Sequence, residues 1–134
     1  MIYLLDTDTL SRWARGEEPV HSKLTGFSPD DLAVSSVTVM EVEYGLALTP
    51  GKAKVLRPVL SQFFQVVTVL PFEEKEARAT AAVRAALRKQ GLPIGPYDVM
   101  IAGTALSHGL VLVTSNTREY QRVSGLLVED WRET

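Results

Sequence analysis

The residues of this chain best suited to chemistry are carboxylates. Asp6, Glu41, Asp98 and Glu119 come from four widely separated segments. Asp6 follows directly on the apolar run Ile2-Tyr3-Leu4-Leu5, with a second acid at Asp8. Two like charges about 4 Å apart repel by ~4 kcal/mol at an effective dielectric of about 20. Four gathered carboxylates must therefore protonate, disperse or share a cation. All-oxygen donors, with no thiolate and no spaced histidine pair, select a hard ion: Mg2+, with Mn2+ as a substitute. Such an ion can clamp a phosphate, activate a water and stabilise a leaving oxygen. No residue is placed as a nucleophile, so hydrolysis by metal-activated water is the natural chemistry.

Each acid also has a plainer reading. Asp6 or Asp8 could cap a helix starting near Thr9. Asp98 could serve the dipole of a helix start. Glu41 could sit exposed at the edge of an apolar stripe. Which reading holds depends on the elements that carry them.

Residues 2–5 read as a short strand buried on both faces. Leu32–Ser35, Gln65–Leu70, Leu110–Val113 and Leu126–Val128 read as further strands. Helices are predicted between them: a short one through Leu10, Trp13 and Ala14, another over His21–Phe27, and one over Val37–Leu48 with Ser36 as its N-cap. Lys52–Phe64 reads as a helix that Pro58 must start, kink or split. Glu73–Gln90 ends at Gly91, and Pro96–His108 ends at Gly109. A short helix follows the polar turn Ser115–Glu119. On the Val37 helix, Val37, Met40, Tyr44 and Leu48 form one stripe with Glu41 inside it. Val39, Val42 and Leu46 make the opposite face apolar too. Asp98 shares a face with Ile101, Ala102 and Ala105, which predicts an inward-pointing acid. Strands separated by helices predict an α/β layered domain with a parallel sheet. Right-handed crossovers then bring the strands' carboxyl ends to one edge, where ligands bind.

Composition bounds the function. At 134 residues, 46% hydrophobic and 22% charged, the chain reads as one globular domain over 1–134. No run approaches the ~20 apolar residues of a membrane span, and Asp6 interrupts the N-terminal apolar run, so no signal peptide is expected. The absence of cysteine excludes disulfides and thiolate chemistry and suits a cytoplasmic protein. His21 and His108 are far apart and read as surface residues. The net charge of −2 gives no global attraction to nucleic acid. A nucleic-acid partner would need a metal or local basic residues such as Arg12, Arg15, Arg84 and Arg118. Glu74 and Arg78 are spaced as a surface pair. Arg84, Arg88 and Lys89 form a basic edge, either simply solvated or in contact with phosphate.

Four stretches, LLDTDTLS, SSVTVMEVEYGL, GLPIGPYDVMIAGTAL and LVTSNTREYQRVSGLLVEDW, resemble the PIN-domain family in order and spacing. They are most similar to the VapC ribonuclease toxins of prokaryotic toxin–antitoxin pairs, and they cover nearly the whole chain. The resemblance implies a three-layer α/β/α sandwich around a mainly parallel sheet. It implies a Mg2+-dependent endoribonuclease, homodimeric and silenced by a VapB-like antitoxin. Carried over by motif, the acidic set is Asp6, Glu41, Asp98 and Glu119, with metal on Asp6 and Asp98. Asp8 stands where the family often has Asn, and some members place the fourth acid at the position of Asn116. Asp8, Thr114 and Asn116 then stand behind the ligands.

Three rivals use the same residues. Asp6-Thr7-Asp8-Thr9 after a strand also resembles the nucleophile motif of haloacid-dehalogenase phosphatases, but no lysine follows Thr114. A response-regulator receiver needs an acid where Leu70-Pro71 stand. A catalytically silent PIN-like domain could bind RNA or protein without turnover; retention of all four acids speaks against it. Two further expectations concern partners. A two-fold interface should use the Val37–Leu48 helix together with Leu56, Leu60, Phe63 and Phe64. An antitoxin should lay an arginine across Asp6, Asp98 and Glu119 and dock an apolar segment by Trp13.

Overall fold

The structure is a computed structural model describing residues 1–133. Its organising strand, β1 (Tyr3–Leu5), has no polar face, because Leu4 and Leu5 are both fully buried. Successive strand side chains point to opposite sides of a sheet. Leu4 therefore enters one core with Ala33, Leu112, Leu87 and Ile101. Leu5 enters a second with Leu10, Val34, Leu60 and Val113. Two cores on one sheet make three layers.

The other strands are β2 (Leu32–Ser35), β3 (Thr68–Leu70), β4 (Val111–Val113) and β5 (Val128–Glu129). They lie in the order β3-β2-β1-β4-β5, all pairs parallel. The helices are α1 (Thr7–Ala14), α2 (Val20–Thr25), α3 (Ser36–Leu48), α4 (Pro50–Val66), α5 (Glu74–Lys89), α6 (Pro96–His108) and α7 (Thr117–Tyr120). The Leu5 core draws on α1, α2, α3 and α4, and the Leu4 core on α5 and α6. The chain moves outward from β1 to β2 and β3, then returns to place β4 on the other side of β1. The strand order reverses between β1 and β4, and the carboxyl ends of strands at such a point are where open parallel sheets bind ligands.

Most predicted elements stand, and the differences have physical causes. Ser35, not Ser36, caps α3, its hydroxyl accepting from the Val37 N–H at 3.0 Å. The stripe Met40, Tyr44 and Leu48 faces outward, 41%, 65% and 64% exposed, while Val37, Thr38, Val42 and Leu46 are buried. A helix apolar on both faces carries no periodic signal for its rotation. Helix α4 runs unbroken through Pro58, which is exposed, so water can reach the carbonyl that the proline leaves unpaired. It also continues to Val66, leaving only Thr68–Leu70 of the expected Gln65–Leu70 strand. His108 is not a surface residue: its Nε2 lies 2.6 Å from the Glu76 carboxylate, which is 4% exposed. Glu76 also accepts from the Glu73 N–H and so closes the capping box of α5. His21 hydrogen-bonds through Nδ1 to the Trp13 carbonyl.

The α5–α6 crossing depends on a missing side chain. A Cβ at Gly103 would lie 2.0 Å from Thr80 Oγ1 and 2.8 Å from the Thr80 backbone N and Cα. Backbone cannot yield as a flexible side chain can. Gly103→Ala should therefore cost about 3 kcal/mol, at the upper end of overpacking costs, read by urea unfolding. A variant as stable as the parent would show that the two helices can separate freely.

Candidate active site

The candidate site draws on helix starts, Asp6 capping α1 and Asp98 in the first turn of α6. The Asp6 backbone N–H donates to the Val113 carbonyl at 3.0 Å, tying the end of β1 to the end of β4. Asp6 is also the N-cap of α1, its Oδ1 accepting from the Thr9 N–H at 2.8 Å. The capping and functional readings of Asp6 thus coexist. Asp6 is only 5% exposed. Burial is the largest influence on it and raises its pKa from 3.8 to about 6. Hydrogen bonds from Thr114 and Thr9 hold the rise back, and the charge of Asp8 adds to it.

The other acids arrive from neighbouring elements. Glu41, on α3, accepts at Oε1 from the Thr7 hydroxyl at 2.6 Å, and that hydroxyl lies 3.3 Å from Thr38 Oγ1. Asp98, in the first turn of α6, is partly buried, and burial raises its pKa with help from the charge of Glu119. Glu119, on α7, accepts at Oε2 from Asn116 Nδ2 at 2.8 Å. Asn116 is itself positioned by its N–H donating to Thr114 Oγ1 at 2.9 Å. Asp8 belongs to a different arrangement. It is an acceptor for Arg12 Nε at 2.9 Å and for the Ser115 hydroxyl. Burial pushes its pKa up, but those two partners outweigh burial and leave it lowered.

Tyr120 is buried within reach of the acids' charges, and no spacing pattern in the sequence marks it. Its ring is 1% exposed, and its hydroxyl is buried with no partner in normal hydrogen-bond geometry. The hydroxyl lies toward Asp98, and the charges of Asp98, Asp6 and Glu41 all bear on it. Together with burial they raise its pKa, so the phenol stays neutral. Only its place next to Glu119 could have pointed to it. Thr7 was missed because a threonine beginning a helix is unremarkable.

The donor set suits a hard divalent cation. Among the described residues no basic side chain pairs with Asp6, Glu41, Asp98 or Glu119. An unpaired buried carboxylate and a partnerless buried phenol are groups that a cation and its waters would satisfy. No three His, Asp or Glu side chains among the described residues are grouped as one ion's protein ligands. An ion held there would have one or two carboxylates from the protein and would take the rest of its sphere from water and phosphate.

Asp6 makes the fold pH-dependent. Its folded pKa of about 6 lies above the unfolded 3.8, so its folded state binds the proton more tightly. Stability is lost as pH rises through that window. Asp6→Asn keeps the cap and removes the charge. In EDTA at pH 7.5 it should be more stable than the parent by up to about 3 kcal/mol, at 1.36 kcal/mol per pH unit. The gap should close below about pH 4. Urea melts at the two pH values read this, and a parent as stable as the variant at pH 7.5 would mean that Asp6 is not destabilised by its burial.

The likeness to known proteins follows the same elements. The family model described as PIN domain matches residues 3–126. The tRNA(fMet)-specific endonuclease VapC of Shigella flexneri is 37% identical over 129 residues, covering 96% of this chain and 97% of that protein. The enzyme of the same name from Salmonella typhimurium is 36% identical over the same length. Among solved structures, DNA-bound VapBC from Salmonella typhimurium matches with a TM-score of 0.87 at 35% identity, covering 98% of each chain. VapBC2 from Rickettsia felis, bound to a promoter DNA fragment, matches at 0.88 and 27% identity, covering 98% of this chain and 99% of that one. With a family match over almost its whole length, and the four acids carried on the elements described, the chain belongs to the PIN-domain family.

Proposed function

We propose that this protein is a VapC-type endoribonuclease, the toxin of a toxin–antitoxin pair, that hydrolyses RNA with Mg2+. The observation that carries the reading is the Asp6 carboxylate, buried at the sheet's switch point with no basic partner among the described residues. The named activities of the Shigella and Salmonella relatives support the substrate class. Asp6 and Asp98 would hold the ion, Mg2+ or Mn2+ in its place. When bound, it supplies Lewis acidity to a water and to the scissile phosphate. The chain's own groups do the rest. Glu41 and Glu119 each have one oxygen committed, to Thr7 and Asn116. Each keeps a second oxygen to orient an attacking water or take its proton. Neutral Tyr120 offers Asp98 a hydroxyl and no competing charge.

Asp98→Asn, Glu41→Gln and Asp6→Asn should each lower RNA cleavage by at least about a hundredfold with folding intact. EDTA should abolish cleavage. Water attacking phosphorus leaves 5′-phosphate and 3′-hydroxyl ends. Sequencing the cut ends reads this, and 2′,3′-cyclic phosphates would overturn the mechanism, as wild-type rates in Asp98→Asn would overturn the site.

The reading extends to partners and place: a homodimer and a VapB-like antitoxin, in the cytoplasm. No helix among the described residues is long and apolar enough to cross a membrane. Leu60 and Phe63 are buried in the chain's own core, so they are unavailable to a second copy. Tyr44, Leu48 and Val55, at 64–72% exposure, remain as the apolar surface on α3 and α4. The antitoxin's apolar segment would enter the cavity of about 370 Å³ beside Trp13, Phe27 and Phe63, with an arginine reaching the acids. Light scattering at tens of micromolar should give twice the chain mass, and Tyr44→Glu with Leu48→Glu should halve it. A monomeric parent would remove the dimer from the reading.

A further inference from the structure

The largest cavity described is not at the acids. It has a volume of about 580 Å³ and lies between α5 and the start of α6. Pro93, Ile94, Val99 and Met100 line it, and Arg84 and Arg88 are its charged residues. One of its walls is the segment that leads into α6. The segment 93–96 that bounds it leads into Asp98, and Gly95 lies so near that a Cβ there would come within 3.3 Å of Asp98 Oδ2.

Among the described residues, most arginines of this chain are held by carboxylates; Arg84 and Arg88, like Arg118 and Arg122, are not. Arg78, earlier on the same helix, is held by Glu74, and Arg12, Arg15, Arg57 and Arg132 are likewise held by carboxylates. Arg84 and Arg88 are exposed and pair with no carboxylate among the described residues. Spaced four apart, they lie one above the other on the helix. Unpaired guanidiniums bind phosphate oxygens in a bidentate fork. Apolar walls of this size suit a flat ring. Duplex RNA buries its bases, whereas a single strand can splay one out.

We infer that this cavity is a subsite for one unpaired nucleotide of the RNA near the scissile phosphate, its base against Ile94 and Met100 and its phosphates on Arg84 and Arg88. The inference rests on the endoribonuclease reading, and it makes Arg84 and Arg88 positioning residues. They set how the strand lies across Asp98 and take no part in the reaction itself.

The test is fluorescence anisotropy of a fluorescein-labelled single-stranded 12-mer RNA with the full chain in EDTA, where no cleavage intervenes. Arg84→Gln with Arg88→Gln should weaken binding about tenfold and reduce the salt slope by about 1.4, the value for two phosphates on a single strand. Arg78→Gln removes a charge from the same helix but should change nothing. The parent should prefer the single strand to the matching blunt duplex, and Ile94→Trp, which fills the cavity from an already half-exposed loop, should erase that preference. Unlabelled poly(U) should displace the probe far better than poly-glutamate. Equal effects of the Arg84/Arg88 and Arg78 variants would overturn the subsite. So would equal single-strand and duplex binding by the parent, or equal displacement by poly-glutamate, which would mark a surface for acidic protein. A parent that binds the strand in EDTA but cuts no RNA with Mg2+ would instead refute the ribonuclease reading.

Discussion

The rest of the site depends on one unfavourable burial. Asp6 is held out of water at the end of β1, with hydroxyls and one backbone N–H as partners and no cation. It cannot retreat, because the two residues before it are buried on opposite sides of the sheet, Leu4 in one core and Leu5 in the other. Rotating β1 to release Asp6 would expose leucine in either direction. Each fully buried leucine is worth about 2 kcal/mol, and the helix cap adds about 1 kcal/mol. Those sums are comparable with the roughly 3 kcal/mol that a pKa raised from 3.8 to about 6 represents. The fold can therefore keep a buried carboxylate at the place where strand order reverses.

Much of this could be read from residue order. Four apolar residues before Asp6 predicted a strand without a polar face. Proline at the start of the Asp98 helix and glycine after its end predicted α6 to the residue. Asp98 shares its helix face with Ile101, Ala102 and Ala105, all fully buried, and is itself half-buried. Asp6, Glu41 and Asp98 lie at the strand end and on the helices expected to carry them, while Glu119, expected in the polar turn, lies within α7. What carried no spacing signal is Tyr120, a buried residue on whose hydroxyl the charges of Asp98, Asp6 and Glu41 bear.

What could not be read shares one cause. Periodicity reports burial only where polar residues mark the other face. On α3 both faces are apolar, so its rotation is settled elsewhere: by the Ser35 cap, by Val37 entering the Leu4 core, and by Thr38 fully buried beside Thr7. That rotation turns Tyr44 and Leu48 to solvent and brings Glu41 to the Thr7 hydroxyl. The run Gln65–Leu70 failed likewise. Its valines suit a strand or a buried helix end equally, and packing of Phe63 and Val67 in the Leu5 core extended α4 instead. His108 needed knowledge of a partner 32 residues away.

Charge arrangement explains how a chain of net charge −2 can bring acids and a polyanion together. Long-range attraction is absent, so contact with phosphate must be local. A guanidinium lying directly on Asp6 would neutralise it and exclude a cation. The nearby helix α1 carries such a group in Arg12, and Asp8, one turn before it, binds that guanidinium at 2.9 Å. Asp8 is held charged by its lowered pKa, and while charged it occupies Arg12. The arginines left without carboxylates on α5 stand across the Gly95 loop from Asp98, where they can meet phosphate without quenching the acids. Arg12 and Arg78 are thus held by Asp8 and Glu74, while Arg84 and Arg88 pair with no carboxylate among the described residues.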